Sequence, residues 1–165
     1  ARIRITPKRR TAFLFRPPTP AVPGLDAAPM TIDVDEKFYF KPDAGLILGS
    51  PADETPTVAQ DAQPEEWDVA VGVERIQAAA DLPVRRIEKS WAGLRSFADD
   101  KTPVLGFDED RPGFFWLAGQ GGYGIQTAPA MGALARSEIA GEPMADALAA
   151  VGFDPALLAP GRFAT

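Results

Sequence analysis

Two stretches of this sequence carry residue types and spacings suited to chemistry. The first is Gly119-Gln120-Gly121-Gly122-Tyr123-Gly124, which lies between the apolar run Phe114–Ala118 and a helix-forming segment. Glycines let a backbone approach a ligand closely, and the start of the following helix offers unpaired N–H groups with partial positive charge. Such a place can stabilise a phosphate or the negative charge of a ring system. A tight strand-to-helix turn with no ligand has the same pattern, and the pattern alone divides evenly between the two. The spelling G-x-G-x-x-G is also the dinucleotide-binding fingerprint. That unit needs a second parallel strand after its helix, ending in an acidic residue that holds the ribose. Here Gly141-Glu142-Pro143 and an Ala-rich tail follow instead, so the fingerprint reading fails.

The second is Arg95. Alternation over residues 84–97 places Ile87, Trp91, Gly93, Arg95 and Phe97 on one face of a strand, and Glu88, Ser90, Ala92 and Leu94 on the other. An arginine on an otherwise apolar face either snorkels to the edge or meets a buried anion. Tyr39, flanked by Phe38 and Phe40, points to the opposite face from both, as a solvated aromatic or as a hydroxyl donor. Arg9 and Arg10 alternate, so only one can face inward. Met30 suits a core or a binding pocket equally well.

Composition narrows the chemistry. The 165 residues contain no cysteine and no histidine, which removes disulfides, thiolate nucleophiles, Ser-His triads and nearly all zinc chemistry, and no metal site is expected. Any reaction must run on Arg, Lys, Tyr, carboxylates, backbone groups or a borrowed cofactor. A net charge of −6 argues against nucleic acid as a partner. The charge is uneven: Arg2, Arg4, Lys8, Arg9, Arg10 and Arg16 precede the first acid, Asp26, while Asp53, Glu54, Asp61, Glu65, Glu66 and Asp68 crowd the middle. Read plainly, these runs are a solvated basic strand beside an acidic loop. The longest apolar run, Phe114–Ala118, is too short to span a bilayer, and no targeting segment opens the chain, so a cytoplasmic location is expected. The chain starts at Ala1 in strand-like sequence without an initiator Met, which points to a piece of a longer protein.

The elements that must position these residues read as follows. Residues 8–16 form a strand around Phe13-Leu14-Phe15, closed by Pro17-Pro18, and a proline-rich loop runs to Pro29. Three short strands at 30–34, 37–41 and 45–49 make an antiparallel meander, turning at Asp35-Glu36 and at Pro42-Asp43-Ala44-Gly45. After a polar loop at 50–64, Pro64-Glu65-Glu66 opens a helix whose buried stripe is Val69, Val73, Ile76 and Ala80. The long strand at 84–97 comes next, then strands at 103–107 and 113–118. A helix at 128–140 follows, with Pro129 in its first turn and Gly141 at its end. The remainder is a tail with a short helix at 144–151. The fold class is α+β.

Three blocks together carry a family resemblance: Ser90-Trp91-Ala92-Gly93-Leu94-Arg95-Ser96-Phe97, Pro103-Val104-Leu105-Gly106, and Phe115 through Ala130 with its G-Q-G-G-Y-G-I-Q core. From about Pro7 to Gly141 the chain resembles the FAD-dependent D-amino-acid oxidase, glycine oxidase and sarcosine oxidase superfamily, with bacterial D-arginine dehydrogenases nearest in look. The resemblance implies an antiparallel or mixed-sheet substrate domain portion over 1–100. It implies a strand, Gly loop and helix returning to an FAD-binding domain over 101–142, and a tail over 143–165. The N-terminal Rossmann half is absent from this stretch, so the piece alone is expected to be inactive and its exposed edges to self-associate.

By the same resemblance, Arg95 and Tyr39 hold the α-carboxylate of a small amino-acid substrate, Arg10 assists, and Met30 lines the side-chain pocket. The Gly122 carbonyl helps hold the amine. Gly121, Gly122, Tyr123, Gly124, Ile125, Gln126 and Thr127 contact the flavin or shape its pocket, with Gly121 serving the turn. The implied reaction is hydride transfer from the substrate Cα to FAD, giving an imino acid, and D-amino acids such as D-arginine are the expected substrates. No residue of the chain is expected to act as a nucleophile. Two other expectations stand beside this one: a glycine, sarcosine or proline-type oxidase, and a non-catalytic binding subunit of a split flavoenzyme.

Overall fold

The structure, a computed structural model, describes residues 3–19 and 22–163. The strand-like opening at Ala1, two residues of the proline-rich loop and the last two of the tail lie outside the described residues. Two compact units emerge: Lys8–Leu94 is one, while Ala1–Pro7 together with Arg95–Thr165 is the other.

The first unit is built on an antiparallel sheet. Its strands are β1 (Thr6–Phe15), β2 (Thr31–Ile32), β3 (Tyr39–Asp43), β4 (Leu46–Ser50), β5 (Thr55–Pro56) and β6 (Ile87–Phe97). The order is β2-β3-β4-β1-β5, with β6 also paired to β1. The meander read from the sequence is present as β2-β3-β4. Its second turn is a two-residue hairpin: Asp43 pairs with Leu46, and both Ala44 (φ 49°) and Gly45 (φ 81°) are left-handed. That combination matches the right-handed twist of the flanking strands. Helix α1 (Glu66–Ala79) carries Glu66 and Asp68 in its first turn, where the helix dipole favours acids. It closes a core of Phe13, Phe15, Phe38, Phe40, Ile47, Ile76 and Leu82. Phe13 is fully buried and fits only because two positions facing it lack side chains. A Cβ on Gly49 or on Gly72 would lie 2.7 Å from its ring.

The expected solvation holds for part of the basic and acidic runs, where Arg4, Arg16, Asp61, Glu65 and Glu66 are exposed, but not for Arg9, Arg10 and Asp53. Arg9 bonds Glu65, and its Nη2 lies 2.7 Å from Asp68 Oδ2, while the arginine side chain is only 11% exposed. Asp53 accepts the Thr11 amide at 2.7 Å and the Thr11 hydroxyl at 3.1 Å, and Lys8 reaches Glu54 at 3.2 Å. The two runs are complementary, and the fold brings them face to face, tying β1 to the loop before α1 and to its first turn. Burial of such charges is tolerated because each carboxylate and guanidinium meets an opposite partner.

The second unit contains β7 (Val104–Phe107) and β8 (Phe115–Ala118), an antiparallel pair, followed by α2 (Gly124–Ala140) and α3 (Asp146–Ala150). Its core is Leu105, Met131, Leu134, Ala135 and Leu158, with Phe115, Met144, Leu148 and Phe153 packed around it. The segment after α3 adds 3-10 turns at Pro155–Leu157 and Pro160–Phe163, and the Leu105 amide bonds the Leu158 carbonyl at 2.9 Å, so this stretch is part of the core. Helix α2 begins four residues before the expected start, which places Pro129 inside it. The missing proline N–H costs one intrahelical bond, and the turn ahead of it closes through Thr127, whose amide and hydroxyl both bond the Tyr123 carbonyl at 3.1 and 2.9 Å. Gly141 ends the helix in the left-handed conformation, as its position predicts. No strand follows α2 among the described residues, in line with the failed fingerprint. None of the described helices is long and apolar enough to cross a membrane.

Candidate functional site

The glycine loop joins β8 to α2, and the last three residues of β6 run against it. Gly119 and Gly121 take positive φ, 72° and 55°, which few other residues tolerate. The Gly121 amide bonds the Ser96 carbonyl at 2.9 Å. A Cβ on Gly121 would lie 2.7 Å from Phe97 Cε1, and one on Gly122 would lie 2.5 Å from Arg95 Nη1 and 3.2 Å from its Cζ. The Arg95 guanidinium therefore rests directly on the Gly122 backbone, and only glycine leaves room for it. Arg95 is half-buried and makes no hydrogen bond or ion pair among the described residues. Contrast Arg9 in the other unit, buried and held by two carboxylates. A half-buried arginine without a protein partner is suited to an exogenous anion, and its planar fork matches a carboxylate bidentately.

The start of α2 adds to this. Tyr123 sits at the N-cap without a side-chain capping bond, and the first paired amide is that of Thr127. The amides of Gly124, Ile125 and Gln126 thus form an open helix N-terminus two residues beyond Gly122. Ile125 is 97% exposed there, an apolar side chain presented to solvent in the first turn. Tyr123 lays its ring back against Gly121, where a Cβ would lie 3.1 Å from Tyr123 Cζ, and gives its hydroxyl to the Lys101 carbonyl.

The expected apolar face of β6 is only partly so. Phe97 is buried and Ile87 packs on the core, but Trp91 is 37% exposed.

The other expected residues belong to the first unit. Tyr39 is half-buried on β3, opposite Ile32 and Ser50 in register, and its hydroxyl has no partner among the described residues. Phe38 and Phe40 are buried and stacked with ring centres 6.4 Å apart, so the alternation read from the sequence is real. Arg10 is engaged by its own unit: Nε donates to the Asp53 carbonyl at 2.7 Å and Nη2 lies 3.5 Å from Glu54. Met30 is half exposed just before β2. A groove of about 600 Å³ between α1 and residues 84–90 contains none of these groups. Its floor of Val69, Val73, Val84 and Ile87 extends the hydrophobic core.

Sequence reasoning missed Arg162. Its guanidinium binds Asp100 and four backbone carbonyls. No periodicity or motif marks it; only a basic residue in an otherwise apolar terminal stretch could have drawn notice.

Comparison with solved structures gives the same fold. Glycine oxidase from Geobacillus kaustophilus superposes with a TM-score of 0.70 at 24% identity, covering 95% of this chain and 39% of that one. L-proline dehydrogenase from P. horikoshii gives 0.68 at 23%, covering 87% and 38%. L-amino acid deaminase from Proteus vulgaris gives 0.59 at 19%, covering 98% and 37%. The chain thus spans about two fifths of the length of the proteins it matches. Residues 1–137 match the model of the FAD-dependent oxidoreductase family known as DAO. The open amides of Gly124, Ile125 and Gln126 at the start of α2 are a donor set that suits an anionic ring system. This chain belongs to the DAO family of FAD-dependent oxidoreductases.

Proposed function

We propose that this chain is the substrate-facing portion of a flavoenzyme that oxidises amino acids, with D-amino acids, basic ones such as D-arginine among them, as the substrates to try first. The observation that carries this reading is Arg95, half-buried, unpartnered among the described residues, and laid on Gly122. Its two terminal N–H groups would take both oxygens of the substrate α-carboxylate, which fixes the orientation of Cα. The Gly122 carbonyl would accept from the amine. Tyr39, whose hydroxyl is unpartnered among the described residues, would donate to the same carboxylate. Met30 would line the side-chain pocket, and Arg10, already engaged, would play a lesser part.

The amides of Gly124, Ile125 and Gln126 would hold the negative edge of the flavin ring, with Thr127 bracing the Tyr123 carbonyl and Ile125 offering an apolar surface. When bound, FAD supplies the hydride acceptor for the substrate Cα–H. The chain's own part is binding and orientation, which needs none of the nucleophiles that its composition lacks. The names of the structural neighbours favour one second reading, a glycine oxidase-type specificity.

Arg95→Ala and Arg95→Lys in the full-length protein test this. Loss of a two-bond, charge-assisted pair at about 1.5–3 kcal/mol per bond predicts a rise in KM of at least about a hundredfold for Ala. The lysine variant keeps the charge but not the fork, so its rise is smaller. Neither variant should lower the melting temperature appreciably, because Arg95 gives up no protein partner. An unchanged KM for every amino acid that the enzyme oxidises would remove Arg95 from the site. Comparison of D-arginine with glycine and sarcosine decides between the two specificities.

A further inference from the structure

The family match ends at residue 137, yet the chain continues through α3 and two 3-10 turns to Phe163. Within this stretch Arg162 is the most heavily bonded side chain of the unit. Its Nε and Nη2 hold Asp100 at 2.8 and 3.3 Å. Nη2 also reaches the carbonyls of Thr102 and Pro103, at 2.8 and 3.1 Å. Nη1 bonds those of Leu158 and Ala159, at 2.6 and 3.1 Å, and the guanidinium covers the Phe163 ring at 4.3 Å. The side chain is only 16% exposed.

The residue flanked by these contacts in the chain is Lys101, itself exposed. It lies between Asp100 and Thr102, both held by Arg162, and takes φ 62°, a left-handed conformation that costs a residue with a Cβ about 1 kcal/mol. That conformation persists because the bonds on either side of it fix the turn, helped by the Lys101 amide on the Ala98 carbonyl at 3.0 Å and the Thr102 amide on Asp100 Oδ1 at 3.0 Å. The Lys101 carbonyl is the acceptor for the Tyr123 hydroxyl, and Tyr123 is the N-cap of α2. On the same turn, the Ala98 amide lies 3.3 Å from where a Cβ on Gly119 would be. Turn 98–102 thus contacts both Arg162 and, through Ala98 and the Lys101 carbonyl, the two ends of the glycine loop.

We propose that Arg162 is a positioning residue for the glycine loop, acting through the Lys101 carbonyl and Tyr123 to fix where the open amides of α2 and the Gly122 backbone present themselves. The proposal rests on the functional reading above for its effect on catalysis, but not for its effect on the loop.

The experiment uses the full-length protein with Arg162→Gln, Arg162→Lys, Tyr123→Phe and the Gln/Phe double variant. Amide hydrogen exchange at Gly121, Tyr123 and Thr127 reads the loop directly, with the amides of Lys8–Leu94 as the internal control. Loop exchange should quicken about tenfold or more in Arg162→Gln and in Tyr123→Phe, less in Arg162→Lys, and not in the control unit. KM should rise and the visible flavin spectrum should shift in the same variants, with the double variant no worse than the worse single one, because both act on one path. Arg162→Gln with a lower melting temperature but unaltered loop exchange, spectrum and KM would overturn the proposal, as would strict additivity in the double variant. Should Arg162→Gln fail to fold, Tyr123→Phe and Arg162→Lys carry the same decision. A wild-type protein devoid of flavin would sink the functional reading instead, and loop exchange alone would then decide the role of Arg162.

Discussion

Gly122→Ala separates the site from the scaffold more cleanly than any other single change. The new methyl would sit 2.5 Å from Arg95 Nη1, where ordinary contact needs about 3.5 Å, so the guanidinium must retreat by about 1 Å. The atom displaced is the end of a flexible side chain, and Gly122 is not among the glycines with left-handed φ, so alanine suits the backbone. The stability change should therefore stay within about 1 kcal/mol. Misplacement of a positioning group by about 1 Å costs on the order of a hundredfold in rate. We expect kcat/KM for amino-acid oxidation by the full-length protein to fall by about that factor, while the melting temperature hardly moves. Gly121→Ala is the control. Its φ of 55° and the Phe97 ring at 2.7 Å predict a loss of about 1–3 kcal/mol of stability. An unchanged kcat/KM in Gly122→Ala, or a fall in melting temperature matching that of Gly121→Ala, would refute the placement of Arg95 in the site.

Three further outcomes are expected. Gly49→Ala drives a methyl to 2.7 Å from both Phe13 and Ile76, and overpacking at this fully buried ring should cost about 1–3 kcal/mol by chemical denaturation. Asp100 is held below the usual carboxylate range by the Arg162 guanidinium first, with the Thr102 amide assisting. Since its folded pKa is depressed, the stabilisation is complete above the unfolded value of about 3.9 and is lost as pH falls through the folded value. Asp100→Asn should therefore flatten the acid limb of the stability–pH curve below about pH 4, and an unaltered limb would show that Arg162 does not act on Asp100. Burial raises the Glu138 pKa, so its ionised form is disfavoured in the folded state. Its unfavourable contribution sets in as pH rises through the unfolded value, and Glu138→Gln should raise the melting temperature at neutral pH but not in acid.

Much of this architecture is legible from local pattern. The β2-β3-β4 meander, α1 and β6 follow from alternation, turn residues and helical spacing, and the Gly141 stop follows from glycine's tolerance of positive φ. What escapes is non-local. Two-residue strands such as β5 have no periodicity of their own and exist only because β1 offers partners for Thr55 and Pro56. The early start of α2 contradicts the usual place of proline and is closed instead by a threonine bond to Tyr123. Complementary charges more than fifty residues apart look solvated until the fold brings Arg9 to Glu65 and Asp68. In the site, Arg95 and the glycine loop were each readable by type, whereas the contact between Arg95 and Gly122 was not, because it depends on where β6 ends against the loop.

The division of the chain also dictates an order of assembly. Lys8–Leu94 is one uninterrupted stretch that can satisfy its contacts with its own residues, whereas the other unit must recruit the residues before Lys8 and those after Leu94. Closing so long an intervening loop from the unfolded chain carries an entropy cost that is repaid only late. Once the first unit has folded, β1 and β6 are paired in one sheet, and both chain exits are tethered to it. The unit with the glycine loop should consequently gain its protected amides second in a refolding experiment, which makes maturation of the candidate site conditional on a scaffold that is already complete.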